Sequence, residues 1–173
     1  TITVLDANLP PAWIEGGEAK FLLGTDNQGR DIFSTILYGM RISIGVGILS
    51  VILAMTIGIT LGLAAGYFGG RVDSIIMRIA DIQLTFPAIL TALLVDGVLG
   101  VILKHKGGEG SAKIWILVVA IGLSYWVQYA RTVRGSTLVE RNKDYVHAAR
   151  LIGIRAFPIM FRHVLPNVLS PVF

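Results

Sequence analysis

Hydrophobic positions gather into three long runs, residues 42–65, 84–103 and 114–129, separated by polar and glycine-rich stretches. At about 1.5 Å of rise per helical residue, each run is long enough, or nearly so, to cross roughly 30 Å of hydrocarbon. A further apolar run begins near residue 169, and the chain opens on Thr1 rather than Met. The pattern predicts an all-α, polytopic membrane protein with about three complete spans and the start of a fourth, a fragment lacking spans at one or both ends.

Between the runs the pattern changes. Residues 1–24 hold no sustained period and contain Pro10-Pro11 and Gly16-Gly17, which interrupt helix and strand alike. The stretch GTDNQGRD, residues 24–31, carries Asp, Asn and Gly in the manner of a turn that caps a helix. Ile32, Phe33, Ile36, Leu37 and Met40 then recur at helical spacing, predicting an amphipathic helix near the membrane surface ahead of the first span. The organisation expected is an external segment over 1–41 and a transmembrane domain over 42–173.

Inside the spans, polar and small residues narrow the reading. Ser50, Ala54, Gly58, Gly62 and Gly66 repeat at every fourth position of the first run. In lipid, such a stripe lets helix backbones approach closely, so this helix is expected to pack tightly on another. Arg78 and Asp81 stand at i, i+3 and predict an ion pair on one helix face. Pro87, after Phe86, removes a backbone donor inside an apolar run and predicts a kink or a broken helix, either structural or beside a transport path. Asp96, an acidic residue within an apolar run, is a candidate for that path, for a polar subunit contact, or for a carboxylate wetted near the outer interface.

Composition agrees with a membrane protein: 54% of residues are hydrophobic and 15% charged, with a mean hydropathy of +0.71, where soluble domains carry about a quarter charged residues. The absence of cysteine excludes disulfides, thiolate metal sites and thiol catalysis. His105, His147 and His163 lie far apart, without ligand spacing, and no metal site is expected. The net charge of +4 is concentrated in Arg131, Arg134, Arg141, Lys143, Arg150, Arg155 and Arg162, opposed along that stretch by Glu140 and Asp144. The positive-inside tendency makes residues 130–163 a cytoplasmic loop, which puts 66–83 inside and both 1–41 and 104–113 outside. Lys104, Lys106 and Lys113 run against this, and the larger cluster decides. Tyr125, Trp126 and Tyr129, followed by Arg131 and Arg134, mark a membrane boundary.

Residues 144–167, DYVHAARLIGIRAFPIMFRHVLPN, form the densest basic amphipathic segment. Tyr145, Ala148, Ala149, Leu151 and Ile152 predict a small, apolar helix face, Gly153 a turn, and 154–162 a second helical stretch. A helix, a glycine turn and a helix suit insertion into a groove of a cytoplasmic partner, while the basic residues also suit an anionic lipid surface.

His147-Ala148-Ala149, three residues, Gly153, nine residues, then His163-Val164-Leu165-Pro166 resembles the EAA loop of importer permeases of the ATP-binding cassette (ABC) superfamily. GTDNQGRD, YGMRISIGVG at 38–47, GYFGGRVDSIIMRIAD at 66–81, Phe86-Pro87 and FRHVLPN at 161–167 are similar to the second permease of dipeptide, oligopeptide and nickel importers. The chain departs from the motif at His147, where the pattern has Glu, and at His163, where it has Ile. The resemblance implies a type I importer transmembrane domain in a bacterial-type inner membrane, paired with a homologous second permease. It also implies two cytoplasmic ATPases, an extracytoplasmic substrate-binding protein and membrane lipid as partners, and no nucleic acid. Tyr145, His147, Ala148, Ala149, Arg150, Gly153 and Ile154 would form the ATPase-docking loop. The cargo implied is a di- or oligopeptide, with nickel, glutathione or oligosaccharide as alternatives within the family. This chain lacks GxxxxGK[ST] and any defensible catalytic constellation, so it is expected to be no enzyme and to carry no cofactor, ATP and magnesium belonging to the ATPases. An ion- or proton-coupled carrier using Asp96, or a purely structural membrane subunit, are the readings from other classes.

Overall fold

The computed structural model describes residues 6–104 and 109–169. His105 and most of the expected fourth run lie outside them. The chain divides into two compact units, Thr1–Gly47 and Ile48–Phe173.

In the first unit, residues 6–31 fold as a loop closed by backbone hydrogen bonds. Asn8 N–H donates to the Asp26 carbonyl at 3.0 Å and Thr25 N–H to that of Leu9 at 3.1 Å, and the Thr25 hydroxyl donates to the Asp6 carbonyl. The predicted capping turn is present. The Asp26 carboxylate accepts the backbone N–H of Arg30 and of Gln28, each at 2.8 Å. Those hydrogen bonds, that of Arg30 first, hold its carboxyl below the usual range. Asp31 then accepts from the N–H groups of Phe33 and Ser34 at 3.3 and 3.1 Å, satisfying donors that the first turn of a helix leaves unpaired.

The helix so capped, α1, runs Ile32–Phe68 without a break for 37 residues, about 55 Å. The separate surface helix expected over 32–40 is therefore its first turns: no proline intervenes, and single glycines do not stop a helix in an apolar setting. Gly69, at φ 65°, turns the chain into α2, Gly70–Thr85. Phe86 is extended, at φ −88° and ψ 128°, as the residue before a proline tends to be. The chain then enters α3, Ala88–Lys104. The helix around Pro87 is thus broken, and α2 and α3 meet at a bend of 100°. Leu84 and Thr85, expected in the second span, belong to α2. Next, α4 runs Glu109–Glu140, so residues 109–113, expected in the outer hairpin, are already helical, and the helix extends well past Tyr129. Among the described residues, two helices, Ile32–Phe68 and Lys113–Glu140, are long and apolar enough to cross a membrane, or up to three if the bent pair is one span.

Packing in the second unit centres on α4. Val95 of α3 is buried with Ile116 and Ala120, and Ala80 of α2 with Trp126, Val127 and Ala130, flanked by Ile57 and Leu61 of α1. The small residues of α1 lie on α4. A Cβ added at Gly58 would come within 2.5 Å of the Tyr129 Cβ, at Gly62 within 2.4 Å of the Ala130 carbonyl oxygen, and at Gly66 within 2.5 Å of the Thr137 Cβ. Numbering rises together on the two helices, so they run parallel. Their C-terminal ends share one face, and α2 with α3 returns the chain between them, as the charge pattern requires.

Candidate functional site

Beyond α4, Asp144–Leu151 forms α5. Then come the short α6, Ala156–Pro158, a π-helical stretch Ile159–Val164, and α7, Leu165–Val168. Val146 and Ala149, three apart on α5, are buried with Leu63 and Tyr67 of α1, Val133 of α4, and Ile159, Met160, Val164 and Val168. The loop is thus seated on the shared C-terminal ends of α1 and α4 by a continuous apolar core.

That seating sorts the expected docking residues into two sides. His147, Ala148, Arg150 and Gly153 are exposed. Leu151 and Ile152 are 89% and 78% exposed, and Phe157 is 65% exposed, a concentration of uncovered apolar surface on a segment surrounded by charge. Ala149 faces inward, and Tyr145 is half-buried, its hydroxyl donating to Glu140 Oε1 at 2.7 Å. Burial first, and the Glu140 carboxylate beside it, push the Tyr145 phenol up, so it stays a protonated donor. The small apolar face read from sequence therefore belongs to two surfaces, because a residue pair at i, i+3 points one way while i+2 and i+6 point the other.

Gly153 stops α5. Its φ of +84° is left-handed. Its N–H donates to the Arg150 carbonyl at 3.0 Å, and that of Ile154 to the Ala149 carbonyl at 3.1 Å. This is the paired reverse-bond pattern of a Schellman end, which favours glycine at that one position. It aims the uncovered Ile152 outward at the tip.

Ion pairs hold the surrounding helices. Arg134 of α4 grips Asp73 of α2 with both ends of its fork, Nη2 to Oδ2 at 2.6 Å, and Arg131 Nη2 lies 2.5 Å from Asp81 Oδ1. Asp81 thus pairs with Arg131, fifty positions away, where sequence spacing pointed to Arg78. Arg141 Nη1 donates to the Gly66 and Tyr67 carbonyls at 2.8 and 3.4 Å, capping the end of α1. The Arg150 guanidinium sits 5.1 Å from the Tyr67 ring centre. The basic run therefore spends Arg131, Arg134, Arg141 and Arg150 on its own scaffold. Sequence reasoning missed Asp73, Glu140, Arg141, Val146 and Asn167 as determinants of the loop. Glu140 was legible as an acid within a basic run, and Asp73 and Asn167 lie within the blocks that carry the resemblance.

Asp96 is exposed on α3 beside the buried Val95, and Pro87 lies at the break before α3. Among the described residues no cluster of three or more His, Asp or Glu could hold a metal ion.

The model of the family described as "Binding-protein-dependent transport system inner membrane component" matches residues 58–173. The chain is 45% identical over 163 residues to the dipeptide transport system permease protein DppC of Escherichia coli, covering 94% of this chain and 51% of that protein. It is 40% identical over 163 residues to the di/tripeptide transport system permease protein DppC of Pseudomonas aeruginosa, covering 94% and 50%. To the glutathione transport system permease protein GsiD of Pectobacterium atrosepticum it is 44% identical over 158 residues, covering 91% and 49%. The chain spans about half the length of these relatives. With its apolar helices and this match over most of its length, the chain belongs to the family of inner-membrane permease components of binding-protein-dependent transport systems.

Proposed function

We propose that this chain is part of a permease subunit of an ATP-driven importer of di- or oligopeptides, and that α5 with the Gly153 turn is the cytoplasmic coupling element that docks on an ATPase. The observation that carries the reading is the two-sided loop. Val146 and Ala149 lock α5 to the ends of α1 and α4, while Ala148, Leu151, Ile152 and Phe157 present an uncovered apolar ridge on the other side. A ridge rigidly joined to two long helices can pass a displacement at the partner face into the membrane, which a loose loop cannot. The cargo assignment rests on the likeness to dipeptide, di/tripeptide and glutathione permeases. Glutathione, itself a tripeptide, falls in the same chemical class as the dipeptides, so the GsiD likeness fits one peptide-binding path.

In the mechanism so proposed, nucleotide binding brings two ATPases together and carries the docked α5 ridges with them. The buried α5 core obliges α1 and α4 to follow, and substrate reaches the outer face from a binding protein. The chain itself supplies no hydrolytic chemistry. The test is affinity capture of the full-length protein in mild detergent, wild type beside Ile152→Asp. Recovery of a second permease and an ATPase with the wild type, and loss of the ATPase alone with the variant, is the expected result. Capture of the same ATPase by Ile152→Asp at wild-type yield would overturn the docking role.

A further inference from the structure

The motif FRHVLPN lies outside the ridge and contributes Val164 to the core that seats α5, and the structure gives it a further task. Pro166 has no N–H, so the Arg162 carbonyl has no donor at i+4, and the backbone just ahead of it is wound as the π-helix Ile159–Val164. On that widened turn the His163 carbonyl accepts from Asn167 Nδ2 at 3.1 Å, and the Tyr145 oxygen stands 3.4 Å from it. Asn167 Nδ2 also lies 3.3 Å from the Tyr145 oxygen. On the other side, Tyr145 donates to Glu140 Oε1 at 2.7 Å, and the second oxygen of that carboxylate takes Lys143 Nζ at 2.8 Å. Glu140 is only 7% exposed. One phenol oxygen thus joins three elements: the last residue of α4, the first turn of α5, and the turn that opens α7.

We infer that Tyr145 is a positioning residue that ties the coupling helix to both the end of α4 and the helix beginning at Leu165, so that all three move as one body. The inference rests on the coupling role proposed above. It also bears on His147, which stands where the family pattern has Glu. His147 is exposed on the ridge side, and the acid that anchors the base of the loop is Glu140. The buried apolar core resists separation of these elements but is non-directional. The hydroxyl bridge adds directional contacts that resist sliding and rotation of α5 along that core.

The experiment compares Tyr145→Phe, which keeps the ring and deletes the hydroxyl, with Asn167→Leu and the double variant, all in the full-length protein purified with whatever partners it captures. Three quantities are read: ATPase recovery, hydrolysis rate, and substrate moved per ATP in proteoliposomes. Tyr145→Phe is expected to leave ATPase recovery and hydrolysis within about twofold of wild type. Transport per ATP should fall about three- to tenfold, and Asn167→Leu, whose amide reaches the Tyr145 oxygen as well as the His163 carbonyl, should cost less in the double variant than it does alone. Hydrogen exchange of 144–151 and 165–168 should rise together in the same variants, a readout that needs no ATPase and that separates failure of the brace from failure of the docking proposal. Wild-type transport per ATP in Tyr145→Phe, or faster exchange in one segment with the other unchanged, would overturn the inference.

Discussion

Gly62→Ala is the sharpest test of how the two long helices meet, because the methyl group it adds has nowhere to go. Its carbon would lie 2.4 Å from the Ala130 carbonyl oxygen and 3.0 Å from the Val133 Cβ, about 1 Å inside ordinary contact with rigid backbone. Relief requires α1 and α4 to separate by about that distance, and a gap of 0.5–1 Å forfeits roughly a quarter to a half of each dispersion contact. Overpacking of this kind costs about 1–3 kcal/mol, against an intrinsic helix gain for Gly→Ala of up to about 1 kcal/mol. For a clash against backbone, at the upper end of that range, the net is a loss of about 1–2 kcal/mol. Gly135, on α4, has open space where its Cβ would stand, so Gly135→Ala should keep only the gain. At roughly 2–4 °C per kcal/mol for a chain of this size, the two substitutions should move the melting midpoint in opposite directions by a few degrees each. Fluorescence of the detergent-solubilised protein reports on this contact directly, since Trp126 is buried beside it. Equal shifts of one sign for both variants would refute the close approach of the helices.

The ion pairs make a graded prediction: Asp73→Asn, which breaks a two-point grip at a partly buried site, should lower stability by about 1–2 kcal/mol in the same melt. Asp81→Asn, whose pair with Arg131 is half-exposed, should cost no more than about 1 kcal/mol, and the reverse ranking would show that the pairs had been misjudged. At the turn, Gly153→Ala forces a non-glycine residue to φ +84° and should cost about 1 kcal/mol, with Gly153→Asn recovering most of it because asparagine tolerates that region. Hydrogen exchange at 149–154 reads the difference, and equal protection in both variants would contradict the assigned end. Leu151→Asp should leave the melt unchanged within about 0.5 kcal/mol, since the side chain is uncovered, while reducing ATPase capture at least tenfold.

What could be read from the chain and what could not divides along physical lines. The spans were legible because lipid demands long apolar runs, and the Pro87 break because a missing donor and the restricted residue before proline are local facts. Gly58, Gly62 and Gly66 announced a close contact, yet the identity of the facing helix was not in their spacing. It emerged only when Tyr129, Ala130 and Thr137 were placed opposite them. The same limit explains Asp81. Spacing offers Arg78 as a partner three residues away, but α2 lies along α4, and Arg131 arrives from fifty positions down the chain. In the loop, helical periodicity located α5 and its glycine end, while assignment of its two faces needed the neighbours. Tyr145 and Ala149 read as part of one apolar surface with Leu151 and Ile152, and the ends of α1 and α4 take the first pair inward and leave the second outside. The charge count shows the effect most fully. Seven cations in one stretch suggest a surface waiting for an anionic partner, but α2 supplies Asp73 and Asp81, Glu140 takes Lys143, and the end of α1 takes Arg141. What the loop presents outward is therefore led by an apolar ridge, and that change of character, from basic patch to hydrophobic tip, favours a protein groove over a lipid headgroup layer as its counterpart.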